Sequence, residues 1–235
     1  MTYLTYNVRD YFEYITPLDN KKILDFGCNH ANFLLTPFTG TYVGLDIDKD
    51  IIDKNKNLYP EHEWIYYKNY NFQYNCNNNI TREWPLLDTD FDHILAFSVF
   101  THTDFLEFSE TVDLLKKHVN DKGSILTTFI STKNKEIIRA VLNHRSNLFD
   151  DYIEEITDKI YNSNICYVAV NFSSKQIFIY ENLEHLPPLS NGTYFLSFYN
   201  DEWLQDKLKG DIIDVSHNFN DIKETQKCLK LSIPR

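Results

Sequence analysis

Two acidic residues and a glycine near the start of the chain have the types and spacing of a ligand-binding turn. Asp25 and Gly27 follow the apolar pair Ile23 and Leu24, and Asp46 stands nineteen positions after Gly27, at the end of a second apolar run. A glycine after a buried strand lets a ligand approach the backbone closely. A carboxylate about 20 residues further on commonly binds the hydroxyls of a ribose. The spacing therefore predicts a ligand that contains a nucleoside.

The residues of this turn also separate classes of ligand. A dinucleotide fingerprint requires glycine at its first, third and sixth positions, which are here Gly27, Asn29 and Asn32. A nucleotide-dependent oxidoreductase is therefore disfavoured. The carboxylate of Asp25, just before the turn, suits a positively charged ligand better than a pyrophosphate. S-adenosylmethionine carries an ammonium group and a sulfonium, and it meets this requirement.

The segment DFGCNHA, residues 25–31, resembles motif I of the class I S-adenosylmethionine-dependent methyltransferases, where an acidic residue precedes a Gly-x-Gly-x-Gly turn. Asn29 and Ala31 replace the second and third glycines of the family. Asn tolerates a left-handed backbone better than most residues, and Ala is the smallest change from Gly. Residues 91–104, FDHILAFSVFTHTD, resemble the family's fourth strand, and the run from Asp121 to Ile130 resembles the fifth.

This resemblance implies an α/β fold that is Rossmann-like and doubly wound, with a mostly parallel seven-stranded sheet and an antiparallel last strand. We expect a single domain over 1–235, because no Pro/Gly/Ser-rich linker divides the chain. Helical periodicity over 135–162 and a hairpin from 165 to 180 predict an insertion, 135–192, that acts as a substrate lid. A cover over exposed sheet and a dimer contact are the alternatives. Residues 194–199 and 226–232 are expected to complete the sheet, and a short helix is expected over residues 5–16.

The resemblance also implies S-adenosyl-L-methionine as the cofactor and a set of contacts at the carboxyl edge of the sheet. Tyr70, Tyr74 and Asn75 are further candidates in the loop after the third strand, for which a plain Asn-rich turn is the alternative. His30 is expected to be structural or a neighbour of the cofactor. The predicted cofactor-binding residues are Asp25, Gly27, Asn29, Asp46, Ile47, Asn71, Phe97 and Ser98.

His102 and Asp104 are the predicted catalytic residues. His102 follows the fourth strand, where the transferred methyl group should point, and histidine is the side chain most readily poised as a base near neutral pH. The alternative is that His102 packs at the start of the next helix and Asp104 is the N-cap of that helix. The expected reaction is O-methylation of a small molecule or a sugar, since the sequence lacks an Asn/Asp-Pro-Pro-Tyr motif. A catalytically inactive, methyltransferase-like binding or scaffolding protein is the alternative function.

Composition limits the partners and the location. A net charge of −11 argues against a nucleic-acid partner, which would require a basic surface. No apolar run approaches the roughly 18 residues of a membrane span, and the N-terminus lacks the order of a signal peptide, so we expect a cytoplasmic protein without a membrane partner. A homodimer is compatible with the sequence. The four cysteines are scattered without a CxxC pair, which indicates reduced thiols and no metal site.

Overall fold

A ten-stranded sheet organises the chain in the computed structural model, which describes residues 15–35, 37–69, 71, 84–85, 87, 90–145, 151–187, 189, 193–213 and 226–232. The predicted helix over 5–16 lies almost entirely outside these residues, as do Tyr70, Tyr74, Asn75 and Cys76. Within the described part of the chain, no helix has the length and apolarity needed to cross a membrane.

The helices and strands alternate along the chain, as the sequence predicts for a parallel α/β sheet. The strands are β1 Lys22–Phe26, β2 Thr41–Asp46, β3 Glu63–Tyr66, β4 Phe91–Ala96, β5 Val119–Ser131, β6 Ile165–Asn171, β7 Gln176–Glu181, β8 Tyr194–Tyr199, β9 Asp211–Ile213 and β10 Lys227–Ser232. The helices are α1 Lys49–Leu58, α2 Phe105–Leu115, α3 Lys135–Arg145, α4 Ile153–Tyr161 and α5 Asp201–Leu208. Short 3₁₀ helices cover Asn32–Leu35, Phe100–His102 and Lys116–His118.

The main part of the sheet has the strand order β3-β2-β1-β4-β5-β10-β9. Its first five strands are parallel, β10 is antiparallel to β5, and β9 is antiparallel to β10. The order reverses at β1, between β2 and β4, and ligands of open α/β sheets bind at the carboxyl ends of strands around such a point. The predicted doubly wound sheet with an antiparallel last strand is confirmed.

Strand β5 has thirteen residues and serves two partners on one side. Residues 124–129 pair with β10, whereas Ile130 and Ser131 pair in parallel with Phe198 and Tyr199 of β8. Residues 194–199 and 226–232 both join the sheet, as predicted, but the prediction that they form its antiparallel last pair is wrong, because each of them pairs with β5. The short strand β9 takes that place, and β8 instead begins an extension of order β8-β6-β7.

Strands β6 and β8 of the extension are packed on both faces, since successive residues of a strand point to opposite sides of the sheet. Tyr167 of β6, with Phe195 and Tyr199 of β8, belongs to the same apolar cluster as Phe105 and Phe108 of α2. The opposite face of β6 and β8 packs with α3 and α4 in a second cluster that includes Ile138, Leu142, Ile156, Ile160 and Val168. The extension therefore lies between α2 and the helix pair α3 and α4.

Candidate functional site

The turn after β1 has the backbone conformation that the glycines of motif I would adopt. Gly27, Asn29 and Ala31 have φ angles of 77°, 43° and 54°, which places alternate residues of the turn in the left-handed region. The backbone N–H groups of Gly27 and Cys28 both donate to the carbonyl oxygen of Leu45, at 2.7 and 3.0 Å, and so attach the turn to the end of β2. Asn29 and Ala31, which stand where the family has glycines, thus both adopt a backbone conformation that glycine favours.

Gly27 is also required by a close approach between two turns. A Cβ atom at this position would lie 2.4 Å from Cγ2 of Val99, in the turn after β4. The backbone N–H of His102 donates to the carbonyl oxygen of the same Val99 at 3.1 Å. The turns that carry the cofactor prediction and the catalytic prediction are thus in direct contact.

The left-handed conformation of Asn29 predicts how its replacement by alanine or glycine changes the free energy of unfolding. This residue is exposed, and its backbone N–H and carbonyl make its described contacts, to Asp46 and Asn55. Because a left-handed backbone costs a residue with a Cβ about 1–2 kcal/mol, and Asn pays less than most, we expect Asn29→Ala to lower the free energy of unfolding by about 1 kcal/mol. Asn29→Gly is the matched control and should be neutral or stabilising. Urea unfolding of the two variants measures the difference; equal values would contradict this account.

Asp46 joins the end of β2 to the turn. Its Oδ2 accepts a hydrogen bond from the backbone N–H of Asn29 at 2.9 Å, and its Oδ1 accepts one from the N–H of Asp48 at 2.9 Å. Burial raises the pKa of Asp46, and these backbone donors partly oppose the increase. Ile47, the next residue, packs against the main apolar cluster. The Asp46 carboxylate is therefore oriented by backbone groups on both sides.

Asp25 is a buried carboxyl group on the same face of the sheet as Asp46. It pairs in register with Gly44, two residues before Asp46, and the hydroxyl of Tyr42 donates to its Oδ2 at 2.8 Å. Burial is the largest cause that raises the pKa of Asp25 to about 7; the Tyr42 hydrogen bond lowers it and the charge of Asp46 raises it further. Because the pKa of Asp25 lies near 7, a cation placed beside this carboxyl group would favour its ionised form near neutral pH.

The thiol of Cys28 lies beside the two carboxyl groups. A Cβ on Gly44 would be 3.1 Å from its Sγ, and burial followed by the charges of Asp25 and Asp46 raises the pKa of this thiol. Cys28 is therefore a buried neutral thiol rather than a nucleophile. Cys166 and Cys228 are likewise buried and not in disulfides.

Ser98 links the end of β4 to its neighbours. It has a φ of 58°, its N–H donates to Oγ1 of Thr128 at 2.8 Å, and its hydroxyl donates to Oε1 of Gln226 at 3.2 Å. Thr128 lies in β5, and Gln226 directly precedes β10. The preceding residue, Phe97, packs against another apolar cluster of the main sheet, separate from the two clusters described for the extension. The end of β4 is thereby held across three strands.

His102 has a defined tautomer. Its Nδ1 lies 2.9 Å from the carbonyl oxygen of Phe195 in β8. Because a carbonyl oxygen only accepts, Nδ1 carries the proton and Nε2 is the basic nitrogen of the neutral ring. The side-chain amide of Asn71 donates to the backbone carbonyl of His102 at 3.4 Å, and the ring of Tyr194 lies edge-on at 6.0 Å. Asn71, a predicted cofactor-binding residue, thus contacts His102, a predicted catalytic residue.

Asp104 is the N-cap of α2, which is the structural alternative that the sequence left open. Its Oδ1 accepts the N–H of Glu107 at 2.8 Å. Its Oδ2 accepts the N–H of Leu186 at 3.0 Å and Nδ1 of His185 at 2.7 Å. Both carboxylate oxygens therefore fasten the start of α2 and the segment between β7 and β8.

The extension holds the backbone of residues 103–106 through further contacts that the sequence did not reveal. The carbonyl oxygen of Thr103 accepts hydrogen bonds from the hydroxyl of Ser197 and, at 3.3 Å, from that of Tyr199. The N–H of Phe105 donates to the hydroxyl of Tyr167 at 2.9 Å. The sequence signals these contacts only through hydroxyl groups within otherwise apolar strands, and such a pattern does not predict which backbone groups they bind. We call Tyr167, Ser197 and Tyr199 the clamp residues.

The fold is that of solved S-adenosylmethionine-dependent methyltransferases. The glycopeptide N-methyltransferase MtfA complexed with S-adenosyl-L-methionine superposes with a TM-score of 0.54 and 11% identity, covering 98% of this chain and 94% of that one. The magnesium protoporphyrin IX methyltransferase of Synechocystis with bound SAH gives 0.52 and 11%, over 95% and 78%. A methyltransferase from Clostridium acetobutylicum gives 0.52 and 12%, over 98% and 90%.

At these identities the likeness establishes the fold and not the reaction. No protein-family model matches the sequence, and no curated protein sequence matches it significantly. What this chain binds and transforms therefore depends on its own residues.

Proposed function

We propose that this protein is an S-adenosylmethionine-dependent methyltransferase that acts on an oxygen atom of a small molecule or sugar. The observation that carries the proposal is the joint arrangement at one sheet edge: a turn with three left-handed positions, and the carboxyl groups of Asp25 and Asp46 on one face beside it. A catalytically inactive protein of the same fold is the second candidate, and it is favoured by the substitutions at Asn29 and Ala31.

The charges of the site fit this cofactor. Asp25 is buried and has a pKa raised to about 7, so an ammonium group beside it would supply the opposite charge that its surroundings lack. Each oxygen of Asp46 accepts one backbone hydrogen bond, and a carboxylate oxygen can accept a second, here from a ribose hydroxyl. Asn29, Ile47, Asn71, Phe97 and Ser98 complete the proposed binding set.

His102 is the proposed general base. S-adenosylmethionine, when bound, supplies an electrophilic methyl group. The Phe195 carbonyl holds the proton on Nδ1 of His102, so Nε2 can take the proton that the acceptor hydroxyl loses. For Asp104, whose two oxygens hold α2 and residues 185–186, we propose a positioning role rather than contact with the reacting atoms.

For the extension β8-β6-β7, of which β6 and β7 lie within the predicted insertion 135–192 and β8 lies just beyond it, we propose a positioning role as well. The clamp residues bind the backbone on either side of Asp104, and β8 supplies the carbonyl that orients His102. Because the extension shares its apolar cluster with the main sheet, we propose one domain in which residues 135–199 support the catalytic segment. These contacts favour a role for the extension as a rigid support of this segment over a role as a hinged lid.

Isothermal titration with S-adenosylhomocysteine tests the cofactor proposal. We expect saturable binding at one site, weakened at least about 10-fold by Asp46→Asn because a charge-assisted hydrogen bond contributes roughly 1.5–3 kcal/mol. Asp53→Asn, on the exposed side of α1, is the matched control and should bind like the parent protein. A folded protein that shows no binding would rule out the enzyme and leave the inactive alternative. If binding is found, transfer of a labelled methyl group to fractions of a metabolite extract identifies the acceptor.

A further inference from the structure

Strand β7 is an edge of the sheet, and its exposed side chains are largely apolar. Among the described strands it pairs with β6 alone. Phe178, in the middle of β7, is 41% exposed. Phe172, before the strand, and Leu183, beyond its end, are 46% and 42% exposed. Single exposed apolar residues are normal, but three of them along one strand indicate an interaction surface. We call Phe172, Phe178 and Leu183 the edge residues.

The backbone of β7 is suited to pair with a further strand. An edge strand presents a row of N–H and C=O groups that the sheet does not pair, and proteins usually protect such edges with lysines, prolines or bulges. Residues 176–180 of β7, QIFIY, contain no charged residue, proline or glycine. The pairing of β6 with β7 is also regular over all six residues of the strand. An edge of this kind is a template for the addition of a strand.

The residues on either side of Phe178 complement each other when two copies of β7 pair in antiparallel order. A twofold axis through Phe178, perpendicular to the sheet, sets this ring beside its own counterpart. In this register Ile177 of one copy faces Ile179 of the other. Lys175, directly before the strand, lies at the level of Glu181, the last residue of the strand. Aromatic pairs and opposite charges are cross-strand pairs that stabilise a sheet.

The two charges of this register are exposed on the surface of the extension, at opposite ends of β7. Glu181 accepts a hydrogen bond from Oγ of Ser163 at 3.4 Å, and its charge also acts on Lys159. Lys159 is itself paired with Glu155 at 2.9 Å. Because a carboxylate can accept several hydrogen bonds, these contacts leave Glu181 able to bind Lys175 of another copy.

The ends of the strand favour the same register. Because the two copies run antiparallel, the Phe172 end of one copy lies beside the Leu183 end of the other. An axis moved by one residue, to Ile177 or Ile179, would instead set a charged side chain opposite an isoleucine. The register centred on Phe178 is therefore the one in which isoleucines face isoleucines and each charge meets its opposite.

We propose that β7 pairs with β7 of a second copy of this chain and so continues the sheet across a twofold axis at Phe178. One symmetric contact then covers the edge residues of both copies, as in other isologous dimers. Because one short strand from each copy is a small contact beside a standard interface of about 1,200–2,000 Å², we expect a dimer that dissociates on dilution. The dimer is independent of the proposed methyl transfer, since β7 lies at the far end of the extension.

Sedimentation equilibrium of the full chain over a range of concentrations tests the proposal. We expect the mass to rise with concentration from that of a monomer to that of a dimer. Phe178→Lys should weaken the association at least about 100-fold, because the axis sets the two lysines opposite each other. Leu58→Lys, which replaces an exposed leucine at the end of α1, is the matched control and should dimerise like the parent protein.

An exchange of charges tests the register. Lys175→Glu and Glu181→Lys each set like charges opposite each other at both ends of the strand pair, so each should weaken the dimer about 10-fold. The double variant Lys175→Glu/Glu181→Lys restores opposite charges in this register and should dimerise like the parent protein. Both residues are exposed, so the three variants should fold whether or not the chain dimerises.

Three results would overturn the proposal. A parent protein that stays monomeric would leave this edge to a different protein or to a part of this chain outside the described residues. An equal effect of Phe178→Lys and Leu58→Lys would indicate association through another surface. A double variant as weak as the single variants would exclude the register centred on Phe178, and with it the proposed twofold pairing.

Discussion

We expect the His102→Asn variant to bind S-adenosylhomocysteine like the parent protein and to transfer methyl groups about 100- to 10,000-fold more slowly, the usual contribution of a general base. The asparagine amide can donate to the Phe195 carbonyl, which now accepts from Nδ1 of His102. The substitution therefore keeps the hydrogen bond and removes the basic nitrogen. The measurement is kcat under saturating cofactor, beside the cofactor Kd.

Two companions separate the base role from a packing role. Ser197→Ala removes a donor to the Thr103 carbonyl, so it should lower kcat less than His102→Asn while leaving the cofactor Kd unchanged. His185→Gln alters an exposed partner of Asp104 and should have little effect on either quantity. Unchanged turnover in His102→Asn would remove His102 from the base role and leave the cofactor proposal standing.

We expect the Asp25→Asn variant to be more stable than the parent protein above pH 7 and to bind the cofactor more weakly. Both effects arise from one buried charge. The asparagine oxygen can still accept from the Tyr42 hydroxyl, but it cannot ionise. Loss of a charge-assisted contact with an ammonium group should weaken cofactor binding about 10- to 100-fold at pH 8.

The pH dependence follows from the direction of the pKa shift of Asp25. Folding raises this pKa from 3.8 to about 7, so the folded state retains a proton that the unfolded state releases between these values. The stability of the parent protein therefore decreases as pH rises from about 4 to 7, by up to about 4 kcal/mol, and levels off above that range. Asp25→Asn lacks this decrease, so its advantage should be largest at pH 8 and vanish near pH 4.

Urea unfolding of both proteins at pH 4, 6 and 8 measures the stability difference, and titration of S-adenosylhomocysteine at pH 6 and 8 measures the affinity. Parent affinity should rise with pH as Asp25 loses its proton, whereas that of Asp25→Asn should stay flat. Tyr42→Phe provides the control, because removal of the donor should move the pH midpoint of the parent curve upward. A stability difference that is constant with pH would contradict a buried charge at Asp25.

The sequence by itself was sufficient to place the first two strands of the sheet. The residues from Lys22 to Asp46 contain two apolar runs and a turn within a short window, and β1 and β2 form where these patterns indicate. The hairpin of β6 and β7 was predicted for the same reason, since its strands are adjacent in the chain. Local signals of this kind are sufficient because the interacting residues are close in sequence.

Only the tertiary structure decided how the segment from His102 to Asp104 is held. His102 and its partner Phe195 are 93 positions apart, and Asp104 and His185 are 81 apart. Local sequence patterns likewise do not predict that β9, and not β8, is the neighbour of β10. A hydrogen bond between distant strands requires a particular geometry of both backbones, and it leaves no periodicity in either segment. The residue types at the site were therefore set by the sequence, whereas their tautomers, charges and partners depend on the packing that surrounds them.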